Sequence, residues 1–453
     1  MSIIYPNDFR PFSAGLTDNW GALFGSSEAL ALIEFAESNN QVVIYIAKDI
    51  AHYDEIRKAL NFFNSSLEIL EFSSWEVLAF DHFSPHPDIV SSRLKTLASL
   101  STLKSGIVIT TLETVSQRLC PTDYIDKYSL NLIKGQTLEI ETFITKLIKI
   151  GYRRVATVME QGEFSIKGAL IDLYPMGTKV PYRIDLFDNE IDSIRTFDAN
   201  SQRSFAVINS IYLLPAREFA SDHESISTFK SNYLSEFGNI NGFIYDEVNE
   251  GRFPGGIEFY LPLFFEQTSS LFDFFNNEPI IAYRKGLNEE MKIHSNELLE
   301  RFEHCQNSLE RLPLEINKVF LNHEQFFREL KDKKQIQIKA SKLEQKAAIN
   351  FSSSILPPLK IEAQTKKPLN KLINFIENFD GKVLIVCESE GRQSVLNDLL
   401  SSYNLTALDC LSWIDFIKQN NKLCITNASL NEGILCNQIA IITENNLFGQ
   451  DAV

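Results

Sequence analysis

The run Gln41-Val42-Val43-Ile44-Tyr45-Ile46-Ala47 is apolar at nearly every position and only a few residues long. It has neither the polar alternation of a half-exposed strand nor the length of a membrane span, so it reads as a strand covered on both faces. Helical spacing precedes it over residues 30–36 and follows it over 49–63. Two further short apolar strands stand at 67–72 and at Gly106-Ile107-Val108-Ile109-Thr110. Buried strands alternating with helices predict a parallel α/β sheet. A helix through Val115 and Leu119 is expected to end at Cys120-Pro121, because proline disfavours helical geometry in the residue before it.

Beyond residue 126 the texture changes to turn-separated strands at 129–133, 168–174, 182–187 and 190–197, after one amphipathic helix at 140–150. Asp188-Asn189 between two of them is a hairpin signal, since Asn tolerates positive φ. This α+β stretch carries 11 basic and 10 acidic residues over 127–210, so the acidic excess of the chain lies elsewhere. Residues 211–350 look helical at both ends around a middle rich in phenylalanine (Phe253, Phe259, Phe264, Phe265, Phe272, Phe274, Phe275), which reads as core or interface material. Ser352-Ser353-Ser354-Ile355-Leu356-Pro357-Pro358 and Lys366-Lys367-Pro368 read as a linker. Strands at 382–387, 423–426 and 438–443 then mark a second, small α/β domain, and no internal repeat is present.

At 453 residues, with 44% hydrophobic and 23% charged residues, the chain fits several ordinary globular domains. A formal net charge of −16 argues against coating of DNA or of anionic membranes as its main activity. Six dispersed cysteines without a C-x-x-C pair favour buried reduced thiols over a zinc ribbon or a disulfide framework. The N-terminus has no basic stretch followed by an apolar run, and no segment reaches the ~18 apolar residues of a membrane span. A soluble cytoplasmic location is expected.

Nucleotide hydrolysis would need a glycine-rich loop, a lysine for the phosphates and a hydroxyl for Mg²⁺. The nearest match, Gly25-Ser26-Ser27-Glu28-Ala29, puts a carboxylate and a methyl where lysine and threonine are needed. That carboxylate would repel a triphosphate. Gly381-Lys382 precedes its strand instead of following it. The lone Glu444 after Ile439-Ala440-Ile441-Ile442-Thr443 reads as a solvated strand end, and the prolines around His82 and His86 forbid the helix of a zinc site. With no metal site and no nucleophile elbow, binding is favoured over catalysis. Along 182–187, period-2 geometry puts Arg183, Asp185 and Phe187 on one face, a mixed aromatic and charged surface suited to a partner. A routine solvated face with scattered salt bridges is the competing reading of that pattern.

Longer motifs carry a resemblance. Trp75-Glu76-Val77-Leu78, the run Phe83-Ser84-Pro85-His86-Pro87-Asp88, Thr114-Val115-Ser116-Gln117-Arg118, Val158-Met159-Glu160-Gln161-Gly162-Glu163-Phe164, residues 168–190, Phe253-Pro254-Gly255-Gly256-Ile257-Glu258, Glu388-Ser389-Glu390-Gly391-Arg392 and Glu432-Gly433 look like the N-terminal part of the bacterial transcription-repair coupling factors. The resemblance implies a module homologous to UvrB: a degenerate RecA-like (P-loop NTPase-like) parallel α/β lobe in residues 1–125, an inserted α+β UvrA-binding domain in 126–211, a returning segment in 212–350, and a linker with a small α/β domain in 351–453. It implies recruitment of UvrA in nucleotide excision repair through Lys167, Arg183 and Phe187, with Glu190 and Arg195 as lesser members. Lys167 stands where the family motif has arginine and loses its bidentate geometry. No cofactor and no catalysis are implied for this stretch. The family's ATP- and Mg²⁺-dependent translocase motor, its contacts to RNA polymerase and DNA, and its masking C-terminal domain would lie beyond Val453. The alternative is a UvrB-like ATP-dependent damage-verification helicase subunit. The lysine missing at Gly25–Ala29 and the short passage between Phe83 and Gly106, which leaves no room for a damage-probing hairpin, speak against it.

Overall fold

The computed structural model describes residues 4–6, 9–13, 15–64, 66–238, 242–307, 311–345, 347–361 and 368–449. Thr17–Gly21 (β1), Val42–Ala47 (β2), Glu68–Phe72 (β3) and Gly106–Thr111 (β4) alternate with the helices Ser27–Asn39 (α1), Ile50–Phe63 (α2) and Pro87–Leu100 (α3). Every residue of β2 and β4 is buried, as apolar strands between two helical layers require. The helix expected to reach Leu119 stops at Leu112–Val115 (α4). Beyond it the Arg118 and Leu119 N–H groups are taken by the carbonyls of Val319 and Ser269, each at 2.8 Å, so tertiary bridges and not Pro121 end the helix.

Tyr124–Tyr128 (α5) leads into Leu130–Ile133 (β5) and Ile140–Lys149 (α6). Then follow Arg153–Arg154 (β6), Glu163–Lys167 (β7), Leu170–Tyr174 (β8), Tyr182–Phe187 (β9), Glu190–Phe197 (β10), Ser204–Ile208 (β11) and Ser210–Leu213 (β12). A six-stranded sheet runs β11-β10-β9-β8-β7-β6, while β12 pairs with β5. The sequence does not predict β6, β7, β11 or β12, and Gly168, expected in a strand, sits at φ +64 in the β7–β8 turn. In the β9–β10 hairpin it is Asp188, not Asn189, that takes positive φ.

The chain then forms His223–Phe237 (α7), Phe243–Asn249 (α8) and 3-10 turns at Ile257–Phe264 and Leu271–Phe274. Here the phenylalanines do what their density suggests. Phe259 and Phe264 are buried with Phe219, Phe229 and Tyr233 in one aromatic core, Phe219 and Phe264 stacked at 4.2 Å. Ile280–Arg284 (β13), Leu287–Cys305 (α9), Ile316–Val319 (α10), His323–Leu330 (α11) and Gln335–Ile338 (β14) carry the chain back into the first sheet. With Ile349–Asn350 (β15), that sheet has seven strands in the order β15-β1-β14-β13-β2-β4-β3, every pair parallel.

Part of the expected linker is a strand. Ser353–Ser354 (β16) pairs antiparallel with Leu435 and Cys436, while Lys366 and Lys367 lie outside the described residues. Asn370–Asn378 (α12), Lys382–Cys387 (β17), Glu390–Ser401 (α13), Leu408–Asp409 (β18), Trp413–Lys418 (α14), Leu423–Asn427 (β19), Ile434–Cys436 (β20), Ile439–Thr443 (β21) and Glu444–Phe448 (α15) complete a sheet ordered β16-β20-β21-β17-β19-β18. It does not stand apart from the first sheet. Trp413 packs on Phe63 at 5.0 Å, and one buried cluster joins Trp20 and Leu30 to Leu384 and Ile441. No helix among the described residues is long and apolar enough to cross a membrane. All six cysteines are free, and all but Cys305 are buried.

Candidate functional site

The alternation along β9 sends Ile184 and Leu186 into the core and leaves Arg183, Asp185 and Phe187 on the outer face. Strand register then sets neighbours. Asp172 of β8, Arg183 of β9, Arg195 of β10 and Val207 of β11 form one row across the sheet.

Arg183 is committed within that row. Its Nε donates to Asp172 Oδ1 at 2.6 Å and its Nη2 to Oδ2 at 3.0 Å, while Nη1 donates to the Gln202 carbonyl at 3.1 Å. The guanidinium lies 4.6 Å over the ring of Phe197, and Asp172 is 1% exposed. The hydrogen bonds to Asp172 raise the Arg183 pKa against the cost of burial. Arg195 pairs with Asp185, which also accepts from Ser193 Oγ at 3.1 Å. The two arginines thus meet carboxylates from their own sheet, and Arg183 is not the free anchor that its place on the face suggests.

What reaches solvent is different. Phe187 is 75% exposed at the end of β9, opposite the exposed Glu190, and Lys167 is exposed at the end of β7. Phe205 and Val207 on the edge strand β11 are 62% and 68% exposed, and β11 has no second strand partner among the described residues. Neutralised charges, exposed aromatic and branched side chains and an open strand edge suit a protein surface: apolar anchors supply affinity and main-chain groups supply register. Asp172 was missed because it stands in phase on β8 while its partner is 11 residues away across a register the sequence does not display. Phe205 and Val207 were missed because the strand that holds them was.

Gly25 and Ser26 lie between β1 and α1, and Ser27 and Glu28 open α1, where a phosphate loop would lie. The chain fills the place with its own groups. Glu28 is 2% exposed and accepts from Tyr45 Oη and, at 2.8 Å, from Arg284 Nε, while Arg284 Nη2 reaches Glu55 at 3.3 Å. Tyr45 Oη also lies 3.0 Å from His52 Nε2. Burial, with the Arg284 charge beside it, pushes the His52 pKa down to about 3. Burial opposes the Arg284 charge, but facing Glu28 and Glu55 outweighs it and raises its pKa. From the last sheet, Ser353 Oγ lies 3.1 Å from Ser27 Oγ, and a Cβ on Gly25 would collide with the Gly433 carbonyl.

Glu444 is not the solvated strand end its sequence suggests. It is the first residue of α15, buried, and it accepts from the Glu388 N–H just after β17 at 2.9 Å and pairs with Arg392 of α13 at 2.6 Å. His86 caps α3 by accepting from the Asp88 N–H at 3.3 Å, and His82 is exposed in the preceding loop. No cluster of three or more potential metal ligands occurs among the described residues.

Residues 130–219 match the family model of the UvrB interaction domain, and residues 375–447 match that of the MFD D3 domain. The chain is 36% identical over 437 residues to the transcription-repair-coupling factor of Haemophilus influenzae, covering 95% of this chain and 38% of that protein. It is 35% identical over 452 residues to that of Escherichia coli, covering 98% and 39%. The transcription-repair-coupling factor of Rickettsia bellii matches over 291 residues at 31% identity, covering 64% and 25%. The chain therefore spans well under half the length of the relatives it matches. Two domain models in order along the chain, and a likeness to these relatives that runs through nearly all of it, place this protein in the transcription-repair-coupling factor family, as a counterpart of that family's N-terminal region.

Proposed function

We propose that this chain is the part of a transcription-coupled repair factor that recruits UvrA, and that it acts by binding and not by chemistry. The contact surface is the outer face of the six-stranded sheet, with Phe187 as apolar anchor, Lys167 and Glu190 as rim charges, and Arg183 and Arg195 holding the strands that present them. The observation that carries this reading is the coincidence of a UvrB interaction domain match over 130–219 with the exposed Phe187. We read the seven-stranded lobe as a degenerate RecA-like one, because the Gly25–Glu28 turn follows β1 and opens α1 in P-loop order. In this division residues 126–211 are inserted between 1–125 and 212–350, and 351–453 form a separate small α/β unit docked on the lobe. Translocation on DNA with ATP and Mg²⁺, contact with RNA polymerase, masking by a C-terminal domain and a cytoplasmic location belong to the whole protein in the same proposal.

The test is capture of purified UvrA by the immobilised chain, with Phe187→Ala as control. Capture by the parent chain and its loss in the variant are expected. Absence of capture, together with sustained ATP turnover on DNA, would instead favour the UvrB-like helicase subunit.

A further inference from the structure

A cavity of about 330 Å³ opens where α3 and the loop before it meet the 151–163 segment and the 253–258 turn. Trp75, Ser84, Gln161, Phe253 and Glu258, drawn from separate sequence motifs that the sheet-face reading leaves unused, all line it. None of Lys167, Arg183, Phe187, Glu190 and Arg195 does.

Most of its charge is matched internally. Glu163 is held by Arg153 at 2.6 Å and by the N–H groups of Met159 and Glu160, and Glu218 by the fully buried Arg93 and by Trp75. Arg217 is the exception. Its guanidinium lies 4.4 Å over the Phe253 ring, it forms no ion pair among the described residues, and its Nη1 is shut off from solvent without an acceptor. Gln161, whose Nε2 donates to the Thr178 carbonyl at 2.6 Å, likewise keeps its Oε1 without a donor. A guanidinium left without an acceptor in a low-dielectric wall is costly, and a carboxylate is the group that matches its planar fork. The volume falls in the range of about 300–1,000 Å³ usual for small-molecule sites.

We infer that this cavity binds a small organic carboxylate, the carboxylate accepting from Arg217 and the apolar body lying against Trp75 and Ile257. Glu258, which accepts from Ser84 Oγ at 2.8 Å, regulates occupancy. Burial pushes its carboxyl up to about 7, so near neutrality it gains a proton and one negative charge beside Arg217 disappears. The other charges facing the cavity are Arg153, Glu160, Glu163 and Glu218. Carboxylate binding therefore strengthens as pH falls through 7.

Benzoate, with the isosteric neutral benzamide as control, is titrated into the whole chain and followed by amide chemical shifts. Saturable millimolar benzoate binding at the cavity residues is expected, with benzamide at least about tenfold weaker, since a charged hydrogen bond contributes about a decade or more. Arg217→Gln should abolish the preference for benzoate. Glu258→Gln should bind benzoate above neutrality as tightly as the parent does below it. The second variant moves affinity upward, which damage to the fold does not do, so it decides the matter if Arg217→Gln fails to fold. Equal binding of benzoate and benzamide, absence of saturation, or a Glu258→Gln variant with the parent's pH profile would each overturn the assignment.

Discussion

Arg183 grips Asp172 with two parallel hydrogen bonds, of 2.6 and 3.0 Å, across the β8–β9 pair. This relationship decides what a substitution at Arg183 reports. Removing the arginine leaves a carboxylate that is 1% exposed without its counter-charge. Loss of one partner of such a pair costs about 3–5 kcal/mol. Arg183→Ala is therefore expected to lower the melting temperature of the domain matched over 130–219 by more than about ten degrees, measured by thermal denaturation. Asp172→Asn combined with Arg183→Met, which removes both charges, should recover part of that loss. An unchanged melting temperature for Arg183→Ala would show that the fork contributes nothing to the fold.

Phe187 gives the complementary case. At 75% exposed it holds nothing together in the free chain, so Phe187→Ala should leave the melting temperature within about 1 °C. Buried at a partner interface, an aromatic anchor costs about 2 kcal/mol or more on truncation, and hence more than a decade in affinity. UvrA binding by calorimetry should weaken at least about tenfold for Phe187→Ala and by less for Lys167→Ala and Glu190→Ala, which stand at the rim. Unchanged affinity in a folded Phe187→Ala variant would remove this face from the proposal.

The sequence made legible what depends on neighbours along the chain. The two-sided burial of β2 and the alternation of β9 follow from residue spacing alone, and both hold. It concealed what depends on distant partners. β13 and β14 enter a sheet begun more than 200 residues earlier, and short mixed segments such as Gln335–Ile338 become strands only because β1 and β13 flank them. Glu28 was read as hostile to a phosphate, but Arg284, which turns that carboxylate into a structural element, is 256 residues away.

That pair carries a third prediction. Glu28→Ala removes an acceptor shared by Arg284 and Tyr45, leaving Arg284 with Glu55 alone. A destabilisation of about 1–3 kcal/mol in urea unfolding is expected, moderated because Arg284 is partly exposed. The variant should still give no heat with ATP. Neither a lysine for the phosphates nor a hydroxyl for Mg²⁺ is restored. Micromolar ATP affinity in the parent chain, abolished by changes at Gly25 or Glu28, would contradict this account of the loop.

His52 gives the fold a dependence on pH whose sign is fixed by its surroundings. Buried behind Tyr45 and near Arg284, its pKa is held down to about 3, and desolvation likewise pushes the half-buried His294 down to about 4. An unfolded chain protonates both near the ordinary value of about 6.5. Between these limits the unfolded state binds more protons than the native one, so stability is fully present above about pH 6.5 and declines as pH falls toward the folded values. Each pH unit in that window is worth at most about 1.4 kcal/mol per histidine. Urea midpoints measured from neutrality downward should therefore fall steadily. His52→Gln, which keeps a hydrogen-bonding group beside Tyr45 and cannot protonate, should flatten the slope while lowering the neutral-pH midpoint. A variant whose midpoint falls with acid as steeply as the parent's would show that His52 is not buried in its neutral form.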